Sequence, residues 1–121
     1  MSLGQAGNAN WSESREFCKN INGTLATISN DVVKHFVQTS ELTWIGAFRP
    51  PGVLDLKAGW KWDDGTPWEF ESWISGEPDG VGWTFSQQDC AVLSNMKWYD
   101  TPCTDVRPFV CQKKCKGICL Y

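Results

Sequence analysis

A chain of 121 residues is long enough for one domain with a modest core and too short for two. Its 41% hydrophobic and 21% charged residues are an ordinary globular balance, which excludes a disordered or coiled-coil chain. The net charge of −3 and the sequence pI near 5.0 argue against nucleic acid, because a phosphate-binding face needs a basic patch and none is visible.

Residues 1–10 read as an expression remnant, which Met1-Ser2-Leu3 suggests, or as a truncated N-terminal segment. The first periodic stretch runs from Asn10 to Ile21. Asn10 is the cap, and Glu13 three residues on completes a capping box. Trp11, Ser14, Phe17, Cys18 and Ile21 then share one helical face. Leu25, Ala26 and Ile28 dock a short connection. A second helix starts from a cap at Asn30, with Val33, Phe36 and Val37 inward and His35 in a surface or core-edge position. Beyond residue 42 the pattern changes, and Thr43-Trp44-Ile45-Gly46-Ala47-Phe48 reads as a buried strand. Residues 49–86 are rich in Gly, Pro, Asp and Trp with little period, and a loop that long in a small domain is commonly functional. Short strands return at Cys90–Leu93, Lys97–Tyr99 and Pro108–Gln112, with turns at Ser94-Asn95 and Thr101-Pro102. Helices first and strands afterwards make an α+β domain. The basic run Lys113-Lys114-Cys115-Lys116 opens a solvated tail, residues 113–121.

Six cysteines in so short a chain point to an oxidising, extracellular compartment. Spacing alone does not choose among the pairings that six half-cystines allow. Zinc is the rival use of cysteine, but there is no Cys-x-x-Cys pair and His35 is the single histidine. Two acceptor tripeptides for N-glycosylation, Asn10-Trp11-Ser12 and Asn22-Gly23-Thr24, fit secretion. No apolar run has the length of a signal peptide or a membrane span.

The order of Trp11…Cys18, Trp44-Ile45-Gly46, Trp60-x-Trp62-x-Asp64-Gly65, Trp73, Glu77-Pro78-Asp79, Cys90, Trp98-Tyr99-Asp100, Cys103 and Phe109-Val110-Cys111 resembles a C-type lectin-like domain over residues 11–112. The resemblance implies two helices flanking antiparallel sheets, a long functional loop and bridges Cys18–Cys111 and Cys90–Cys103. Cys115 and Cys119 have no counterpart in the family core, so a local tail bridge is expected, with a mate on a further segment or a second chain as the alternative. The family usually carries a strand ahead of the first helix, paired with the last one. Gln5-Ala6-Gly7-Asn8 lacks the length and apolar character for it, and Ile118-Cys119-Leu120-Tyr121 is apolar enough to fold back in its place.

Sugar-binding members resembling this chain use the long loop to hold calcium, and calcium to hold sugar. Calcium is a hard ion taking about 6–8 oxygens. Glu77-Pro78-Asp79 stands where Glu-Pro-Asn marks mannose-type and Gln-Pro-Asp galactose-type members, a hybrid whose Pro78 is expected in a cis peptide. Asp100 matches the acidic end of the family's Trp-Asn-Asp. Gln88 stands where a glutamate is usual, and Tyr99 where an asparagine ligand is usual. The implied metal set is therefore Glu77, Asp79, Gln88 and Asp100, for Ca2+. The implied ligand set adds Tyr99 and Trp83, an aromatic in the Gly80–Ser86 segment suited to a sugar face or a protein partner. Trp44, Trp60, Trp62, Trp73 and Trp98 match core positions.

Catalysis finds no support. His35 has no evident nucleophile or acid partner, and Asp63-Asp64, which in principle suits a glycosidase, sits at a family turn. Two readings follow: a secreted carbohydrate-binding module for a hexose-type glycan, calcium-dependent, or a calcium-independent domain that recognises an extracellular protein.

Overall fold

A computed structural model describes residues 4–37, 39–80, 83–115 and 117–120; residues 4–6, 32, 35, 36, 114, 115 and 117–120 are described in backbone only. In chain order the elements are β1 (Gly4–Ala9), α1 (Trp11–Asn20), β2 (Gly23–Leu25), α2 (Asp31–Phe36), β3 (Thr43–Arg49), β4 (Lys61–Trp62), β5 (Asp89–Ser94), β6 (Lys97–Pro102), β7 (Arg107–Cys115) and β8 (Gly117–Leu120).

The first helix forms where its sequence signals place it. Asn10 Oδ1 accepts the Glu13 amide at 2.9 Å and Glu13 Oε1 accepts the Asn10 amide at 3.1 Å. Such a cap is worth about 1 kcal/mol. Trp11, Ser14 and Cys18 are the buried face, and the Trp11 indole donates to the Ile45 carbonyl at 2.9 Å. Phe17 is 43% exposed but lies edge-on to Phe109. The helix ends at Asn20 with Ile21 as its cap, and Asn22, at a left-handed φ of 64°, turns the chain into β2. Gly23 is required there, because a Cβ would stand 2.3 Å from the Gln112 carbonyl oxygen on β7. In α2 the Asn30 side chain accepts the Val33 amide at 2.9 Å. Val37 is buried and Val33 packs on the core, while the side chains of His35 and Phe36 lie outside the described residues.

The strands join in one sheet, ordered β1-β7-β3-β5-β6, with β2 and β8 on β7 and β4 on β3. The α+β, disulfide-stapled fold expected from the resemblance is thus present, with one parallel contact, Trp44 with Phe109 between β3 and β7. The expectation that residues 4–9 form no strand is overturned. β1 pairs antiparallel with β7 from Gly4↔Cys111 to Ala9↔Arg107, with an irregularity at Gly7. Main-chain hydrogen bonds to an open edge need no apolar side chain, so the composition hid the strand. The tail also folds back, but beside β1 instead of replacing it. β8 covers Gln112–Cys115 on the edge whose preceding residues β1 covers. Cys115 and Cys119 fall on this hairpin, and their side chains lie outside the described residues.

Among the described residues two bridges are formed, Cys18–Cys111 and Cys90–Cys103. The first staples α1 to β7, the second β5 to the segment after β6. Two apolar clusters share the sheet. One, around Trp44, Phe109 and the Cys18–Cys111 bridge, lies under α1. The other is built on Trp60, Trp62 and Trp98, with Trp68, Phe70 and Trp73 packed on it. Trp98 is edge-on to Trp62 at 5.3 Å and to Trp73 at 5.5 Å. The excursion between β3 and β5 contains little regular structure besides β4, so these indoles give it its shape.

Candidate functional site

The excursion is fixed to β6 one residue at a time. Trp98 donates its amide to the Ser72 carbonyl at 2.9 Å, and the Ile74 amide donates to the Trp98 carbonyl at 3.0 Å. A turn closed by Glu77 N–H on the Ile74 carbonyl, at 3.0 Å, then delivers Glu77-Pro78-Asp79 beside Asp100. The Glu77–Pro78 peptide is cis. Gly80, at φ 71°, passes against Leu56, where a Cβ would come within 2.8 Å of Leu56 Cδ2.

Glu77, Asp79 and Asp100 each bring one carboxylate oxygen to within 4.8 Å of the others. Asp79 is exposed, Glu77 half-buried and Asp100 buried. Asp100 Oδ1 accepts the Asp79 amide at 2.9 Å and Oδ2 the Gly80 amide at 2.8 Å. In return the Asp100 amide donates to Glu77 Oε2 at 3.1 Å.

A fourth carboxyl, Asp89, stands behind Asp100 and is fully buried. Burial, then a hydrogen bond to Asp100 and its charge, push the Asp89 carboxyl up to about 8 against the pull of Arg49. Glu77 is likewise pushed up to about 8, by burial first and then by its hydrogen bond to Asp100. Asp100 is also raised by burial. Hydrogen bonds from the protonated Glu77 and Asp89 carboxyls and from the Asp79 and Gly80 amides outweigh this and hold it below the ordinary range. Burial of Glu77 and Asp89 beside Asp100 thus favours a proton on each of those two carboxyls and the charge on Asp100. The all-oxygen, carboxylate-rich donor set fits a hard cation such as Ca2+.

Gln88 is half-buried just ahead of β5, and its side-chain amide makes no hydrogen bond among the described residues. Tyr99 packs on the cluster around Trp44, while Trp98 belongs to the other cluster, so β6 alternation turns Tyr99 and Asp100 to opposite faces. Trp83 is half-buried. Its indole N–H donates to the Gln87 carbonyl at 2.9 Å, and the Arg49 guanidinium lies over its ring at 4.2 Å.

Sequence reasoning missed Arg49 and Asp89. Each is a charged residue at the end of an apolar strand run, a pattern that calls for a buried counter-charge. A concavity of about 370 Å³ lies elsewhere, between β2 and the Asp63-Asp64 turn. Its acids are spent on structure. Asp63 pairs with Arg15 at 2.6 Å, and Asp64 accepts the Thr66 amide and the Gln112 side chain. No helix among the described residues is long and apolar enough to cross a membrane.

The family pattern of the lectin C-type domain matches residues 7–113. The chain is 30% identical to CD209 antigen-like protein A of Mus musculus over 112 residues, which cover 85% of this chain and 43% of that protein. It is 36% identical to the type-2 ice-structuring protein of Hemitripterus americanus over 104 residues, covering 84% of this chain and 60% of that one. The chain therefore spans less than two thirds of these relatives. Among solved structures, the cow C-type carbohydrate-recognition domain of CD23, determined in the presence of a GlcNAc2Man3 oligosaccharide, superposes with a TM-score of 0.71 at 26% identity. It covers 90% of this chain and 82% of that one.

Proposed function

The chain belongs to the C-type lectin domain family, and from that premise we propose that it is an extracellular carbohydrate-binding module that holds a hexose-type glycan through calcium at Glu77, Asp79 and Asp100. Members of this family are non-enzymatic binding proteins, and the chain is not an enzyme. The observation that carries the proposal is the convergence of three carboxylates from two separate segments within 4.8 Å. Calcium, when bound, supplies coordination positions for two vicinal hydroxyls. The protein's own residues do the rest. Glu77, Asp79 and Asp100 provide the charge and accept the sugar's hydroxyl protons, and such charge-assisted bonds are the stronger class. Gln88 offers a neutral oxygen, and Trp83 offers an apolar edge to a carbon–hydrogen face.

Isothermal titration with calcium, with and without a sugar panel, tests this. Saturable calcium binding that a mannose- or galactose-type hexose enhances is the expected outcome; heat-silent titrations in both arms sink it. The second reading, recognition of an extracellular protein without calcium, draws on Tyr99, which packs inward where a liganding amide would be expected. The likeness to an ice-structuring protein adds one control, an ice-recrystallisation assay on the same sample.

The extracellular location belongs to this proposal and rests on the two bridges. Asn22 is the glycan acceptor in it. It is exposed in a turn, whereas the Asn10 side chain is occupied as a helix cap.

A further inference from the structure

Arg49 closes β3 with a side chain from which water is fully excluded. A guanidinium keeps its charge at any ordinary pH and carries five N–H donors, so its burial demands several oxygens or an aromatic face. Its partners come from three separate parts of the chain. Nη1 donates to the Val53 carbonyl and, at 3.5 Å, to the Asp55 carbonyl, both on the outgoing limb of the excursion. Nη2 meets Asp89 Oδ2 at 3.5 Å, directly across the sheet, where Arg49 and Asp89 are register partners. The Trp83 ring on the returning limb covers the guanidinium at 4.2 Å, and such a desolvated stack is the stronger kind of cation–π contact.

The two limbs also touch each other beside this cation. The Gly52 amide donates to the Phe85 carbonyl at 2.9 Å, and Leu56 on the outgoing limb packs against Gly80 on the returning one. Gly80 is in turn held by Asp100. A chain of contacts therefore runs from Arg49 to the Asp55 carbonyl, and from the adjoining Leu56 to Gly80 and the segment that carries Asp79.

We propose that Arg49 is a positioning residue, the resident cation that holds both limbs of the long excursion against β3 and β5 whether or not calcium is bound. Main-chain oxygens turned inward by a loop of little regular structure need a donor or a positive centre to satisfy them. Here the fold carries one of its own, bonded to main-chain oxygens as an ion would be. The order of the excursion is independent of the calcium proposal; only the consequence, a loop already shaped for calcium, rests on it.

Limited proteolysis and hydrogen exchange in chelator test the inference. In the parent protein with chelator, the excursion should resist protease, and the Gly52 amide should exchange as slowly as in calcium. Arg49→Met should be cut within residues 50–86 about tenfold faster or more, since cutting tracks the open population. Far-UV circular dichroism and both bridges should stay unchanged. Arg49→Lys keeps the charge without the planar fork and should fall between the two. Because Arg49→Met also removes the contact to Asp89 Oδ2, Arg49→Met/Asp89→Asn is the companion variant, and its excursion should be cut as readily. Fast Gly52 exchange in the chelated parent, or parent-like resistance in the double variant, overturns the proposal. Failure to bind calcium in the titration above overturns neither result, so the two readings fail separately.

Discussion

Asp100 takes the main-chain protons of both Asp79 and Gly80, at 2.9 and 2.8 Å, so the buried acid of β6 is the peg on which the loop closes. Both acceptors are carboxylate oxygens, and bonds to a charged group contribute about 1.5–3 kcal/mol each. Asp100→Ala removes them together with one of the three clustered charges. The variant should melt several degrees below the parent in chelator and should show no calcium-induced rise in melting temperature, which ligand linkage otherwise produces. A calcium-induced rise retained in Asp100→Ala would place the ion elsewhere.

The carboxyl cluster makes a signed prediction about pH. Glu77 and Asp89 are each pushed up to about 8 in the folded protein, whereas in the unfolded chain they titrate near 4. A raised folded value contributes stability that is complete below about 4 and is lost as pH climbs through about 8. Asp100 has the opposite sign. Its lowered value contributes above its unfolded range and is lost only in acid, outside this window. Chelated protein should therefore lose stability between pH 5 and 8.5 by this cluster's contribution, read as thermal melts of parent against Asp89→Asn. Cations compete with protons for the same oxygens. The gap in melting temperature between calcium and chelator should then widen from pH 6 to pH 8.5, and a gap that narrows contradicts the assignment.

The two bridges should differ in weight. Cys18–Cys111 closes a sequence separation of 93 and Cys90–Cys103 one of 13. Loop-closure entropy makes the first worth roughly 4 to 5 kcal/mol and the second roughly 3. Paired Cys→Ala replacements should follow that order in denaturant midpoint. Replacing Cys90 and Cys103 should also weaken calcium binding, because that bridge fixes the start of β5 beside Asp89.

What the sequence disclosed and what it withheld divide along one physical line. The Asn10–Glu13 box was legible because its two partners lie three residues apart, and the Glu77-Pro78-Asp79 turn because the order of motifs around it resembles a family. β1 was not legible, since its hold on β7 is main-chain pairing that leaves no mark on side-chain choice. Arg49 and Asp89 were missed for a different reason. They become partners only once β3 and β5 are set in register, and no spacing in the chain encodes that. The side taken by Tyr99 likewise depends on which face of β6 meets which cluster.

Glycosylation gives a prediction independent of the loop. Asn22 is exposed at the end of α1, and β2, which follows it, pairs with β7. β6 and Asp100 lie beyond β3 and β5 in the strand order. A glycan there leaves the carboxylate site open. In protein from a eukaryotic secretory host, enzymatic deglycosylation should convert Asn22 to Asp in the peptide map, with Asn10 unmodified. Glycosylated and Asn22→Gln protein should bind calcium alike.

Tyr99 separates the two functional readings. An asparagine there would give the ion an oxygen and a sugar hydroxyl a donor, while the phenol packs on the cluster around Trp44 and supplies neither. Tyr99→Asn combined with Gln88→Glu adds one carboxylate to the set of Glu77, Asp79 and Asp100, and an amide that reaches the ion once residue 99 turns from the face on which the phenol packs. Each new charge-assisted contact is worth about 1.5–3 kcal/mol, tenfold or more in affinity. The double variant should therefore bind calcium, and a hexose through it, at least about tenfold more tightly than the parent. It should also melt lower, since removing a packed ring from an apolar cluster costs about 3 kcal/mol or more when the site is fully buried and less for a half-buried ring. Gain in affinity together with loss in stability is the signature of a site whose ligand position had been turned over to packing. If calcium affinity stays flat while the melting temperature drops, β6 does not swing residue 99 toward the ion, and recognition of a protein partner becomes the better account of the domain.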